Sequence, residues 1–457
     1  MSVPVNVVIL AAGQGKRMHS SLPKVLHSLA GRPMVAHVID AAATLKPRAM
    51  CLVVGHGSES VRETLAQANL VYAKQDPPRG TGDAVRCALP KLPDDGVTLI
   101  VLGDVPLVSR DALKAVVASA KRGHVGLLTA RTPQPDGLGR ILRDARGDVR
   151  AIVEQRDATP EEAAIDEINT GVMAARTDKL ARWVHALNDD NDQREFYLTD
   201  VIAMAVADGV RVEAHIAADA RDVAGVNDRV QLVAAERLLQ QRRAESLMRD
   251  GTWIADPARF DLRGELRCGR DVRIDVGCVI EGRVVLGDEV SIGPYCVLKD
   301  VDIANRTSIA AFSQLEGSRI GRGCRVGPYA RLRPGTILDD EVHIGNFVEV
   351  KASTLGLRAK ANHLAYVGDA VLGADVNFGA GSITANYDGA NKHRTTIEAN
   401  AHIGSNCVLV APVTIGEGAT IGGGSTIARD APPASLTLTR APQVSVAGWT
   451  RSAKKKA

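Results

Sequence analysis

The feature that most constrains this chain is a six-residue period in its second half. Beyond about Gly264 an aliphatic residue followed by a small or acidic one recurs at Leu286, Ile292 and Leu298, then at Ile303, Ile309 and Leu315. The series runs on through Ile320, Val326, Leu332, Leu338, Ile344 and Val350, and closes with Ile397, Ile403, Leu409, Ile415, Ile421 and Ile427. Six is neither the 3.6-residue period of an amphipathic helix nor the two-residue alternation of a half-buried strand. It specifies a parallel β-helix in which each aliphatic residue points inward at an equivalent place on stacked coils. The small residue that follows is expected to permit the corner between short strands. A core of small aliphatic residues also accounts for an aromatic content of only 3 %.

Two stretches break the period, 361–366 and 386–396, and insertions in a solenoid emerge on its surface, where function concentrates. They hold His363, Tyr366, Asn386, Tyr387, Lys392 and His393. From Ala431 onward three prolines and the tail Lys454, Lys455, Lys456 predict an arm rather than another coil.

The first half has a different grammar. Short apolar runs at 7–10, 50–54 and 98–102 read as strands, with helical patterns at 33–45 and 58–68 between them. Strands alternating with helices imply a parallel sheet covered on both faces, with ligands beyond the strands' carboxyl ends. Val230, Val233, Ala234, Leu238, Gln241 and Leu247, set among charges and followed by Gly251, predict one long amphipathic helix over 227–250.

A length of 457 residues favours two or three domains. With 45 % apolar and 24 % charged residues the chain should fold as an ordinary soluble protein, and a net charge of +3 gives no nucleic-acid footprint. Seven scattered cysteines without a CxxC pair fit reduced thiols in the cytoplasm better than a disulfide framework or a zinc site. The short apolar run near the N-terminus cannot cross a membrane or form a signal core.

Leu10-Ala11-Ala12-Gly13-Gln14-Gly15-Lys16-Arg17-Met18 follows the first strand, with Lys24 after Pro23. Glycines let backbone N–H groups approach a phosphate, and Arg17 and Lys24 supply countercharge. The segment resembles the LxxGxGTRM…PK signature of sugar-1-phosphate nucleotidyltransferases, with Lys16 where that signature has threonine. Gln75, Gly80-Thr81-Gly82, Leu102-Gly103-Asp104, Gly139-Arg140, Glu154, Asn169-Thr170-Gly171 and Gly225-Val226-Asn227 match it in order. The later segments Arg333-Pro334-Gly335, Asn346 to Lys351, His363 to Asp369, Asn377 to Gly381 and Asn386 to Lys392 resemble the bacterial GlmU family of bifunctional enzymes, so the likeness covers nearly the whole chain.

That resemblance implies an α/β chain: a Rossmann-like nucleotidyltransferase domain over 1–226, a linker helix over 227–250, and over 251–457 a left-handed parallel β-helix of hexapeptide repeats with a C-terminal arm. It implies acetyl transfer from acetyl-CoA to glucosamine-1-phosphate, then UMP transfer from UTP to N-acetylglucosamine-1-phosphate with release of pyrophosphate. The product would be UDP-N-acetylglucosamine, a precursor for bacterial wall and outer membrane. Leu10, Ala11, Ala12, Gly13, Lys24, Gln75, Gly80, Thr81, Leu102, Gly103, Asp104, Gly139, Glu154, Asn169 and Asn227 would bind the nucleotide and its sugar, with Arg17 and Lys24 catalytic. Asp104 and Asn227, a carboxylate and an amide oxygen, would suit Mg2+.

In the second half His363 would act as base, since a histidine's ordinary pKa lies near neutrality. Arg333, Lys351, Tyr366 and Asn377 would hold the sugar phosphate, and Ala380, Asn386, Tyr387, Ser405, Gly423 and Arg440 acetyl-CoA. The family implies a homotrimer, with no nucleic-acid or membrane partner. The competing expectations are a single-activity nucleotidyltransferase whose β-helix only assembles the oligomer, and a scaffold that has lost turnover.

Overall fold

The computed structural model describes residues 3–13, 15–66 and 69–451. By its internal contacts the chain divides into two units, one ending at Leu239 and the other beginning at Gln240. The strand Val5–Ala11, an almost unbroken aliphatic run, lies in the interior of the first unit's sheet. Parallel strands Ala49–Val54 and Val97–Leu102 flank it, and Val71–Lys74 lies outside Ala49–Val54. Beyond Val97–Leu102 come Glu167–Arg176, Val125–Arg131 and Val212–Ile216. Val7 and Ile9 pack on one face with Val35, Val38 and Leu113, while Val8 packs on the other with Val85, Trp183 and Ile202. Each such side chain taken out of water contributes about 1.5–3 kcal/mol, which is why the run is apolar on both faces.

The sheet is not wholly parallel, as the alternation predicts. Glu167–Arg176 runs antiparallel to both neighbours, because the segment before it folds as the hairpin Arg140–Arg143 with Val149–Val153 instead of a crossover helix. The helices expected at 33–45 and 58–68 are Met34–Ala43 and Ser58–Thr64; Gln67 and Ala68 lie outside the described residues.

One helix, Arg229–Arg249, spans the division between the units. Of the residues that define its apolar pattern, Leu238 is buried but Val230 and Val233 are exposed. A period shows which side of a helix is apolar, and only the elements packed on it decide how much of that side is covered. The buried polar residue is Gln240, whose amide donates to the Leu262 carbonyl at 3.0 Å and accepts from the Leu262 N–H at 2.8 Å.

The second unit is the left-handed parallel β-helix. Partners on most successive coils lie 17 or 18 residues apart, as in Ile309 on Val326 and Val326 on Ile344, and 25 apart where a coil carries a loop, as in Phe378 on Ile403. All eighteen aliphatic residues of the six-residue series point inward and are buried. Three expectations need correction.

The stretch 361–366 is not an insertion. Lys360–His363 pairs in register with both His343–Asn346 and Asn377–Phe378, and Ala361 takes the inward place between Ile344 and Phe378. The bulk of Phe378 fills the room the alanine leaves, so the period continues with a residue too small to announce it.

The corners are not made by the residue after the aliphatic one. The left-handed backbone comes three residues after it, at Tyr295, Phe312, Tyr329, Phe347 and Leu364. The following glycines answer a different demand, close approach of the next coil: a Cβ on Gly345 would stand 1.9 Å from the Asn362 carbonyl oxygen.

The third correction concerns the C-terminus. Ala431 is buried and bridges Ile415, and Leu436–Thr437 pairs with Thr420–Ile421, so a partial last coil precedes the arm. Lys454, Lys455 and Lys456 lie outside the described residues. Of the break expected at 386–396, residues 386–394 are a true excursion, a loop with a bridge of Tyr387 to Lys392, while Thr395 and Thr396 already belong to the next strand, Thr395–Ile397.

Candidate functional sites

In the first unit the glycine-rich turn leaves the interior strand Val5–Ala11 at its carboxyl end. Gly15 has φ +61°, and a Cβ there would meet the Lys24 Cβ at 2.6 Å, so the turn can close on Lys24 only with glycine. Lys24 Nζ donates to Asp104 Oδ2 and, at 3.0 Å, to Asn227 Oδ1. Asp104 follows the strand Val97–Leu102, and the Val226 N–H donates to its carbonyl at 2.8 Å, which brings Asn227 alongside. A carboxylate and an amide oxygen thus converge on one point occupied by an ammonium. That donor set fits a hard divalent cation, which takes one or two protein oxygens and completes its shell with phosphate and water. Among the described residues there is no cluster of three or more His, Cys, Asp or Glu that could hold a metal by itself.

Arg17, Thr81, Leu102, Asp104, Gly139, Glu154, Asn169 and Asn227 line a single cavity of about 650 Å³. Ala12 and Gln75 line a second, of about 280 Å³. Gly103 donates to the Leu10 carbonyl at 2.8 Å, tying the two strand ends together, and Gly80 precedes the helix Thr81–Ala88. Within the larger cavity the Asn169 N–H donates to the Gly139 carbonyl at 2.8 Å, and Thr199 Oγ1 donates to Glu154 Oε1 at 3.0 Å. Burial pushes the Glu154 carboxyl above its ordinary value, and the nearby Asp200 carboxylate pushes it in the same direction.

In the β-helix, Asn346, His363, Ala380, Ser405 and Gly423 each stand two residues after an inward-pointing residue, namely Ile344, Ala361, Phe378, Ile403 and Ile421. They therefore form one row along the solenoid. His363 Nδ1 lies 3.0 Å from Asn346 Oδ1, and His363 borders a cavity of about 370 Å³ with Tyr329, His343 and Phe347. At the far end of the row the Arg440 guanidinium comes within 3.6 Å of the place a Gly422 Cβ would take. Asn377 is on the same sheet, just before the inward Phe378, its amide 3.3 Å from His402 Nδ1.

A second group gathers Arg333, Lys351, Tyr366 and Asn386. Arg333 donates to Glu349 at 2.9 Å, Lys351 Nζ is 3.6 Å from Asp369, and Asn386 Nδ2 donates to the same Asp369 oxygen and reaches the Tyr366 hydroxyl at 3.5 Å. The amines of Lys351 and Lys392 share a hydrogen bond, which raises the pKa of the first and lowers that of the second. Tyr387 is exposed at the edge of this loop.

Two models of known families match the chain at its ends, the MobA-like NTP transferase domain over residues 7–194 and the bacterial transferase hexapeptide (six repeats) over 394–429. The GMPPB C-terminal domain matches 262–362 between them. The chain is 53 % identical over 452 residues to the bifunctional protein GlmU of Nitrosospira multiformis, covering 99 % of this chain and 98 % of that one. It is 56 % identical over 466 residues to the protein of the same name from Polaromonas naphthalenivorans, again over 99 % and 98 %. The chain belongs to the GlmU family. It is a bifunctional enzyme, with a uridylyltransferase half and a hexapeptide acetyltransferase half, and the single-activity and scaffold alternatives fall. Membership in the GlmU family does not depend on the positions that sequence reasoning passed over. Asn346 and Asp369, named there only as parts of motifs, and Asp83 on the helix Thr81–Ala88 were given no role, yet each contacts a singled-out side chain. For the first the coil register was the available signal, since 346 and 363 are one coil apart.

Proposed function

We propose that the two reactions are divided between the two residue sets just described, one on each unit. In the second unit His363 takes a proton from the amine of glucosamine-1-phosphate as its nitrogen bonds to the acetyl carbon; the C–S bond breaks and coenzyme A leaves as the thiol. Asn346 accepts from His363 Nδ1–H, which leaves Nε2 as the base. Arg333 and Lys351, with Tyr366 and Asn377, bind the anionic sugar. Ala380, Asn386, Tyr387, Ser405, Gly423 and Arg440 bind acetyl-CoA, four of them along or beside the row that runs through His363. That row is the observation that carries the assignment.

In the first unit an oxygen of N-acetylglucosamine-1-phosphate attacks the α-phosphorus of UTP and pyrophosphate leaves. Arg17 and Lys24 stabilise the charge that develops on the phosphates. Leu10, Ala11, Ala12, Gly13 and Gly103 supply the phosphate turn, Gln75, Gly80 and Thr81 take the base, and Gly139, Glu154 and Asn169 take the sugar. Asp104 and Asn227 hold Mg2+, which when bound neutralises nucleotide phosphate charge.

The working form is a homotrimer in the cytoplasm. Tyr295, Phe312, Tyr329 and Phe347 stack with ring centroids 5.0–5.3 Å apart yet stay about half exposed, an apolar ladder suited to cover by another copy. The seven free thiols agree with a reducing compartment, and among the described residues no helix is long and apolar enough to cross a membrane. The test is a coupled assay with glucosamine-1-phosphate, acetyl-CoA, UTP and Mg2+, following thiol and pyrophosphate separately. Pyrophosphate that depends on acetyl-CoA supports the order; acetylation that survives H363A sinks the assignment of the base.

A further inference from the structure

We infer that Asp83 sets the nucleobase preference of the uridylyl site by locking the Gln75 amide in one orientation. The inference rests on the reading that Gln75 faces the base. Gln75 and Asp83 are only 4 % and 3 % exposed. Gln75 Nε2 donates at 2.9 Å to the Gly80 carbonyl and at 2.9 Å to Asp83 Oδ2. Asp83 Oδ1 accepts in turn from Arg79 Nη2 at 3.3 Å.

A carbonyl and an ionised carboxylate can only accept, so the chemistry of the two partners, and not the tracing of the amide, decides which end of Gln75 faces them. Turning the amide over would set Oε1 against two lone-pair donors. Held this way, both amide hydrogens are used. Oε1 is left as an acceptor without a hydrogen-bond partner among the described residues, on a side chain that lines the 280 Å³ cavity with Ala12, Gly55, His56 and Lys74. An acceptor at that edge suits the N3–H of uracil and opposes the N3 lone pair of cytosine. Asp83 thereby acts as a positioning residue: it selects the base without touching it.

The test compares kcat/KM for UTP and CTP in the wild-type chain and in D83N, D83E and Q75A. An asparagine at 83 can donate as well as accept, so the Gly80 carbonyl alone still opposes turning the Gln75 amide over. D83N is expected to lower the UTP/CTP ratio about tenfold or more, mainly by raising KM for UTP. D83E keeps the carboxylate and is expected to keep the preference. Parallel loss on both nucleotides in D83N, with Q75A still altering the ratio, overturns the role of Asp83 and leaves Gln75 as the base reader. An unchanged ratio in Q75A overturns the assignment of Gln75 itself, and the inference with it. Should D83N fail to fold by circular dichroism, D83S removes the same acceptor, and the same two outcomes decide.

Discussion

His363 Nδ1 stands 3.0 Å from the side-chain oxygen of Asn346, its register partner one coil earlier. An amide oxygen facing the ring accepts from Nδ1–H, and in that tautomer the other ring nitrogen is the one free to take a proton. H363A should lose roughly 10²–10⁴-fold in acetyl-transfer kcat, the range for a general base. N346A should lose roughly 10–100-fold with little change in KM, by analogy with other groups that orient a ligand histidine. Thiol release measures both, and unchanged kcat in N346A would remove the orienting role.

Lys24 joins Asp104 and Asn227 at the other centre. D104A should reduce pyrophosphate release by roughly 10²–10³-fold, as loss of a group that stabilises developing charge does, while thiol release continues. Chelation of divalent metal should stop UMP transfer and spare acetyl transfer. Thiol release that falls along with pyrophosphate release in folded D104A would contradict two separate centres.

Glu154 gives a prediction about pH. Its carboxyl has a pKa raised above 4.5 by burial first and by Asp200 and other carboxylates next. The folded state therefore binds the proton more tightly than the unfolded one, so this residue's contribution is fully present below about pH 4.5 and is lost as pH rises through the folded value. E154Q, neutral at every pH, should melt higher than the wild-type chain at neutral pH, with the difference shrinking toward pH 4.5. A difference in melting temperature that is flat with pH would show that the raised pKa has no energetic consequence.

Gly345 separates two coils whose backbones nearly touch, since a Cβ there would lie 1.9 Å from the Asn362 carbonyl oxygen. The clash is with backbone, which cannot swing aside. G345A should destabilise the β-helix by about 1–3 kcal/mol or more and should move His363 relative to Asn346. Thermal melting followed by circular dichroism checks the first effect, and an unchanged melting temperature would mean that the coils have slack.

The hexapeptide series and the strand-to-turn motifs are local, so they are legible without coordinates. An inward Ile or Val every six residues identifies a solenoid wherever it occurs, and a glycine turn after an apolar run marks a strand's carboxyl end. The excursion at 386–394 was legible for the same reason. The continuity of the coil through Ala361 was not, because the residue that fills the space beside it, Phe378, belongs to the next coil. Nor was the place of the left-handed corners at Tyr295, Phe312, Tyr329 and Phe347, since stacking of each ring on its neighbour supports a conformation that sequence alone disfavours at aromatic residues.

By itself the sequence determined the class of each half and the eighteen inward residues of the six-residue series, and it offered the candidate side chains. The tertiary structure alone decided which of those side chains meet. Asp104 and Asn227 converge on Lys24 because separate loops end at one sheet edge; Asn346 meets His363 and Asp369 meets Asn386 because coils stack at a fixed rise. Periodicity is a property of neighbours along the chain. Hydrogen bonds that fix an amide or an imidazole form between residues distant along it, and their partners are chosen only when the coils and the sheet have packed.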